Sequence, residues 1–244
     1  MSRIRSAPAV LLAGLIVGPL LVPRASVPPR ATATDQVGEI DRGVLLITRG
    51  TTVVGREEFV VRRGRGSGTL GGFTVASTAW YPADRPTRSL TSVVEYGADS
   101  LPTAARIEAT NGDLRRVLIS MSPRRITVRV ATAEGETARE HPARNPHLFV
   151  DDSVFATHAL PPARGPGAVR AMTLVGTRGS MTEVVDHGME TTEVGRTMRE
   201  LRHITLRTDG SVRHLWYSPD GRLWKVTDTG RRLAATRLGT DNAR

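Results

Sequence analysis

The chain has 244 residues, 39 % hydrophobic and 4 % aromatic, with 34 Lys and Arg against 24 Asp and Glu and no cysteine. The lack of Cys excludes disulfide staples, thiolate metal sites and a cysteine nucleophile, so stability must come from a core. The formal charge of +10 falls to +6 once Arg3, Arg5, Arg24 and Arg30 are set aside with the first 33 residues, leaving thirty basic residues against 24 acidic. Every basic residue but Lys225 is Arg, and in stretches such as Arg125 to Val130 (RITVRV) arginines alternate with apolar residues. That alternation marks the solvated face of a strand rather than a phosphate-binding patch, so no nucleic-acid partner is expected.

Met1 to Ala33 reads as a signal peptide. Arg3 and Arg5 make a basic start, Ala9 to Val22 is an apolar run of 14 residues interrupted by Gly14, Gly18 and Pro19, and Ala31-Thr32-Ala33 is a small-x-small cleavage pattern. The run is short for a bilayer core of about 30 Å, so no stable transmembrane anchor is expected after cleavage, and without Cys there is no lipid anchor. The expected localisation is periplasmic or secreted. Residues 34–41 read as a linker, 42–237 as a single antiparallel β domain and 238–244 as a flexible tail.

From Arg42 onward the text is strand and turn. Val44 to Arg49, the turn Gly50-Thr51-Thr52 and Val53 to Arg62 predict a first hairpin, with Gly55 marking a bulge. The glycine-rich Gly64 to Gly72 lacks the Lys-Ser/Thr of a phosphate loop and reads as a hairpin loop. Strands follow over Phe73 to Tyr81, Ser89 to Tyr96, Ala104 to Thr110, Leu114 to Met121 and Arg125 to Thr132, with Asn111-Gly112 as a tight turn and Thr137 to His141 as an extension.

At Pro142 to Pro146 the pattern breaks. His147 to Ala159 (HLFVDDSVFATHA) predicts a helix capped by Asp151 or Asp152, with Val154, Phe155 and His158 on one broad face and Pro161-Pro162 as its stop. Strands resume at Val169 to Val175, Met181 to Val185 and Thr191 to Val194. His203 to Arg237 is then a meander punctuated by Asp209-Gly210, Ser218-Pro219-Asp220-Gly221 and Asp228-Thr229-Gly230, with Gly210 and Gly221 expected at positive φ. About a dozen antiparallel strands without a βαβ rhythm predict a mainly β fold. The expectation is a strongly curved sheet or open barrel with one covering helix.

The chain resembles exported bacterial all-β proteins of unknown function. The likeness is carried by the hairpin Gly50 to Arg56, by Phe149-Val150-Asp151-Asp152-Ser153-Val154-Phe155 and by the closing Trp216 to Leu223. It is similar, more distantly and in architecture only, to the lipoprotein-carrier half-barrels, whose sheet closes over a helix and holds acyl chains. That resemblance implies an apolar or lipid ligand. The residues expected to line its site are Phe149, Val154, Phe155, Trp216 and Trp224, with Asp151 and Asp152 in water and the 149–159 segment either a structural plug or, as the Pro-rich stretches on both sides favour, a movable lid.

Other chemistry is poorly supported. His147, Asp151, Asp152 and His158 are the only local cluster of zinc-type ligands, and a helix cap with two surface histidines explains them equally, so no metal and no cofactor are expected. Ser180 with Asp186-His187 could form a triad only through folding, which leaves an exported hydrolase as the alternative. Glu57 and Glu58 are adjacent and point to opposite faces of a strand, unlike a glycosidase pair. A partner-binding structural module is the third reading.

Overall fold

The computed structural model describes residues 38–66, 69–111, 113–142, 147–163, 165–173, 179–208 and 210–239. The leader Met1 to Ala33, the hairpin residue Gly112 and most of the tail lie outside the described residues.

Alternating apolar and polar residues with Gly-bearing turns produce long strands here. β1 (Gly38–Arg49), β2 (Thr52–Gly66), β3 (Thr69–Tyr81), β4 (Arg88–Tyr96), β5 (Pro102–Asn111), β6 (Asp113–Met121), β7 (Arg125–Thr132) and β8 (Gly135–Pro142) run up and down as a meander. β9 (His147–Val150) and β10 (Gly167–Thr173) follow. The second meander is β11 (Gly179–Val194), β12 (Thr197–Thr208), β13 (Ser211–Tyr217), β14 (Leu223–Asp228) and β15 (Leu233–Arg237). β1 pairs with β15, which joins the two meanders into one 15-stranded sheet whose ends are β8 and β9. The fold is thus mainly β, a single open and curved sheet, with more strands than the sequence suggested. Met181 to Val185 and Thr191 to Val194 are one strand, β11, interrupted by a bulge between Asp186 and Gly188.

Several turn expectations hold. Gly50, Gly210 and Gly221 all have positive φ. The bulge expected at Gly55 lies beside it in β2: consecutive Ile47 and Thr48 of β1 pair with Gly55 and Val53, which leaves Val54 as the extra residue. A Cβ on Gly55 would lie 2.5 Å from the Tyr81 ring, so the glycine is required for that close approach. In the last turn the left-handed residue is Arg232 rather than Gly230.

One expectation fails. The described residues contain no covering helix. His147 to Ala159 is instead the short strand β9, a loop, and a single 3-10 turn over Ala156–His158. The reason lies in the topology. Among the described strands β9 and β10 are the one parallel pair, and a parallel pair needs a crossover rather than a hairpin. The part of that crossover from Asp151 to Ala159 runs across the inner face. Residues there are sealed into the core: Phe149, Val154, Phe155 and Ala156 are buried in one cluster or beside it, with Leu45, Ile107, Ile119, Leu215 and Val226 from both meanders.

Candidate functional site

The inner face is held by a polar cage around the crossover. A buried segment without regular structure leaves its backbone groups without ladder partners, and each must be satisfied by a side chain. Side chains on four strands, along with Asp151 and the turn's own bonds, do this. Tyr81 on β3 donates to the Ser153 carbonyl at 2.6 Å, Tyr96 on β4 to the Thr157 carbonyl at 3.1 Å, and Tyr217 on β13 to the His158 carbonyl at 2.9 Å. Glu57 on β2 accepts from the Phe155 N–H at 2.7 Å and the Ala156 N–H at 3.2 Å. Asp151 caps the loop, accepting from the N–H groups of Ser153 and Val154 at 2.7 and 3.0 Å.

Arg213 on β13 anchors the entrance. It donates to the Asp151 carbonyl at 2.7 Å, to Asp152 at 2.8 Å and to Asp228 on β14 at 3.0 Å. Arg213 and Asp228 are both buried, and Asp152 reaches outward to a further bond with Arg231.

Burial shifts the titration of these groups. Loss of water pushes the Glu57 carboxyl up to about 7, against the pull of its bonds to Ser77, Phe155 and Ala156. It raises Asp151 as well, with the Asp152 charge adding to the effect. Burial, with the Arg213 cation beside it, pulls His158 down to about 3, so the imidazole is neutral. The segment is therefore a fixed plug whose ionisable contacts are mostly uncharged or paired. Asp151 is not in water, as the helix reading expected, but 3 % exposed.

The expected ligand residues do not converge. Phe149, Val154 and Phe155 point into the core. Along β13, Arg213, Leu215 and Tyr217 face the plug, so Trp216 faces the other way. There it packs with Trp224, Val194 and Leu201 in a satellite cluster, and its indole N–H donates to Glu190 at 2.6 Å. The other constellations also dissolve. Asp152 pairs with Arg213 and Arg231, and His158 is buried against Arg213, so the mixed His/Asp group belongs to the plug. His187 bonds to Thr205 at 2.8 Å while Asp186 pairs with Arg202, which leaves Ser180 out of any triad. Glu57 is buried and Glu58 exposed to Arg56, on opposite faces as expected.

A second feature was not signalled by any motif. Across β4 to β7 the residues alternate with the core set Val94, Ala105, Ile107, Val117, Ile119 and Val128. The outward set Val93, Ala104 and Leu118 forms the floor of a trough of about 550 Å³, with Arg106, Arg129 and Glu95 beside it. It exists because the outward positions carry short side chains at Ala104, Ser120 and Thr127. A smaller hollow of about 280 Å³ over β1 to β4, with Val44, Val60 and Ala76, shares Val93 with it. Near the plug, by contrast, the apolar cleft between Tyr96, Leu101, Leu148 and Leu160 holds only about 30 Å³.

No family model and no curated protein matches the chain. Among solved structures, a beta-barrel-like protein of a domain of unknown function (DUF1849) from Brucella abortus is similar, at TM-score 0.52 and 11 % identity, over 83 % of this chain and 96 % of that one. The likeness is one of fold. It supports a barrel-like all-β architecture over most of the chain, and at that identity it carries no residue roles.

Proposed function

We propose that the protein is an exported, non-enzymatic binding protein that holds an amphiphilic ligand, an apolar chain with an anionic head, on the outer face of its curved sheet. Export rests on the leader Met1 to Ala33. The observation that carries the binding reading is the trough over β4 to β7. Its volume of about 550 Å³ falls in the range of small-molecule sites, whereas the inner face is filled by the plug. Val93, Ala104 and Leu118 supply an apolar floor, and Arg106 and Arg129 supply cationic groups at its sides. This moves the ligand from the lid of the original expectation to the opposite face of the sheet.

Displacement of a fluorescent fatty acid tests the reading. Wild type is expected to bind the probe, and Ala104→Trp, which fills the trough without touching the core, to lose at least about tenfold in affinity at an unchanged melting temperature. No binding by wild type, or equal binding by Ala104→Trp, would overturn it.

A further inference from the structure

The pairing register lines up one row of side chains across the outer face of the first meander. Arg42 on β1 stands opposite Val60 on β2, Val60 opposite Ala76 on β3, and Ala76 opposite Val93 on β4. The row continues through Arg106 on β5 and Leu118 on β6 to Arg129 on β7. Directly paired residues project from the same face of a sheet, so these side chains are neighbours. Val60, Ala76 and Val93 line the hollow of about 280 Å³, Val93 and Leu118 line the trough of about 550 Å³, and the two cavities meet at Val93.

The row is one apolar residue wide. Beside Val60, Ala76 and Val93, the same strands carry Glu58, Thr78 and Thr91 on one side and Arg62, Thr74 and Glu95 on the other. Same-face neighbours along a strand are about 7 Å apart, which leaves room for one extended hydrocarbon chain and not for two. The three arginines of the row differ in what holds them. Arg42 makes a two-point ion pair with Glu39 at 2.9 and 2.7 Å. Arg106 donates from Nε to Glu108 at 3.0 Å, and Arg116 reaches the same carboxylate at 2.7 Å. Arg129 is exposed and 3.9 Å from Glu136.

We propose that trough and hollow are one site for a single long-chain fatty acid, its carboxylate at Arg129 and its tail running over Leu118, Ala104 and Val93 to Ala76 and Val60. The inference rests on the outer-face reading above and narrows its ligand to one chain, one charge and one direction. Arg106 leans to Glu108, away from Ala104, which opens the passage between the two cavities at that level. The direction follows from charge. Glu39 and Glu58 close the Arg42 end to a carboxylate, whereas Arg129 can exchange its distant partner for the ligand. Five interstrand steps separate Arg129 from Val60, about 24 Å, the reach of palmitate bonded through the arginine side chain. Octanoate, half as long, ends before the hollow.

Competition against a fluorescent fatty acid, with palmitate and octanoate kept below the concentrations at which they self-associate, tests the site. Palmitate is expected to bind at least about 100-fold more tightly, since its further methylenes lie on apolar surface. Any apolar surface favours the longer chain, so the decisive readout is how variants change that preference. Ala76→Trp fills the hollow and should cut the preference below about tenfold. Val60→Glu, which sets a carboxylate in the tail's path, should do the same at an unchanged melting temperature. Arg129→Gln should weaken both acids by about three- to fivefold, the scale of an exposed ion pair, and keep the preference. Unchanged affinity in that variant would contradict the headgroup end. If neither acid binds, the outer-face reading falls together with this one. If both bind and the preference survives Ala76→Trp and Val60→Glu, the outer-face reading stands and the joined site is overturned.

Discussion

At the scale of single residues, Glu57 and His158 give the plug a pH signature with two opposite slopes. Glu57 is raised from 4.5 to about 7 on folding, so between those values the folded state keeps a proton that the unfolded chain has lost. Its contribution is fully present below about 4.5 and falls as pH rises through 7. His158 is lowered from 6.5 to about 3, so between those values the unfolded chain binds a proton that the folded state refuses. Its contribution is fully present above 6.5 and falls as pH drops through 3. Between 4.5 and 6.5 the two cancel. Relative to wild type, Glu57→Gln is therefore expected to make stability rise with pH across that window, and His158→Gln to make it fall. Denaturant melts at half-unit pH steps measure both differences, and parallel wild-type and variant curves would contradict the assignments. Backbone conformation gives a second prediction at this scale. Gly221 has φ 82° and its turn lies against Pro161 beside the plug. Gly221→Val should cost more than the roughly 1–2 kcal/mol of an ordinary left-handed residue, since the side chain is β-branched. The thermal midpoint reports it.

At the scale of elements, what could be read locally was read, and the crossover could not be. Asp-Gly and Pro-Asp-Gly turns fix hairpins within a few residues, so the strands of both meanders and the positive φ of Gly210 and Gly221 were legible. The spacing of Val154, Phe155 and His158 mimicked a helical face because every side chain there is buried, and a wholly buried segment carries no periodicity of its own. Its backbone partners, Tyr81, Tyr96, Glu57, Arg213 and Tyr217, lie 59 to 99 residues away in sequence, beyond any local pattern. The parallel β9–β10 pair that demands the crossover was equally invisible. As a plug, the segment makes a definite prediction. Phe155→Ala should cost ~3–5 kcal/mol, a drop of several degrees in melting temperature for a domain of this size. Fatty-acid binding by the fraction still folded should be unchanged. A lid would show the reverse, an unchanged melt with weakened binding.

At the scale of the whole molecule, the sheet has one filled face and one patterned face. The inner face joins both meanders through a continuous apolar core and a plug bonded to four strands, which leaves ligand-sized relief on the outside, in the trough of the first meander. On its own outer face the second meander stacks His187 on His203 and His203 on Trp216. The expected ligand residues failed to meet because alternate residues of one strand serve opposite faces, as Trp216 and Tyr217 do. The central claim is that the 151–159 segment is a permanent part of the core. Hydrogen exchange of the amides of Phe155 and Ala156, both bonded to Glu57, tests it most directly. Protection equal to that of the core strands β2 and β13 is predicted, since the segment then opens only when the whole domain unfolds. Exchange of these amides orders of magnitude faster than the strands around them would contradict it, and would restore a moving lid.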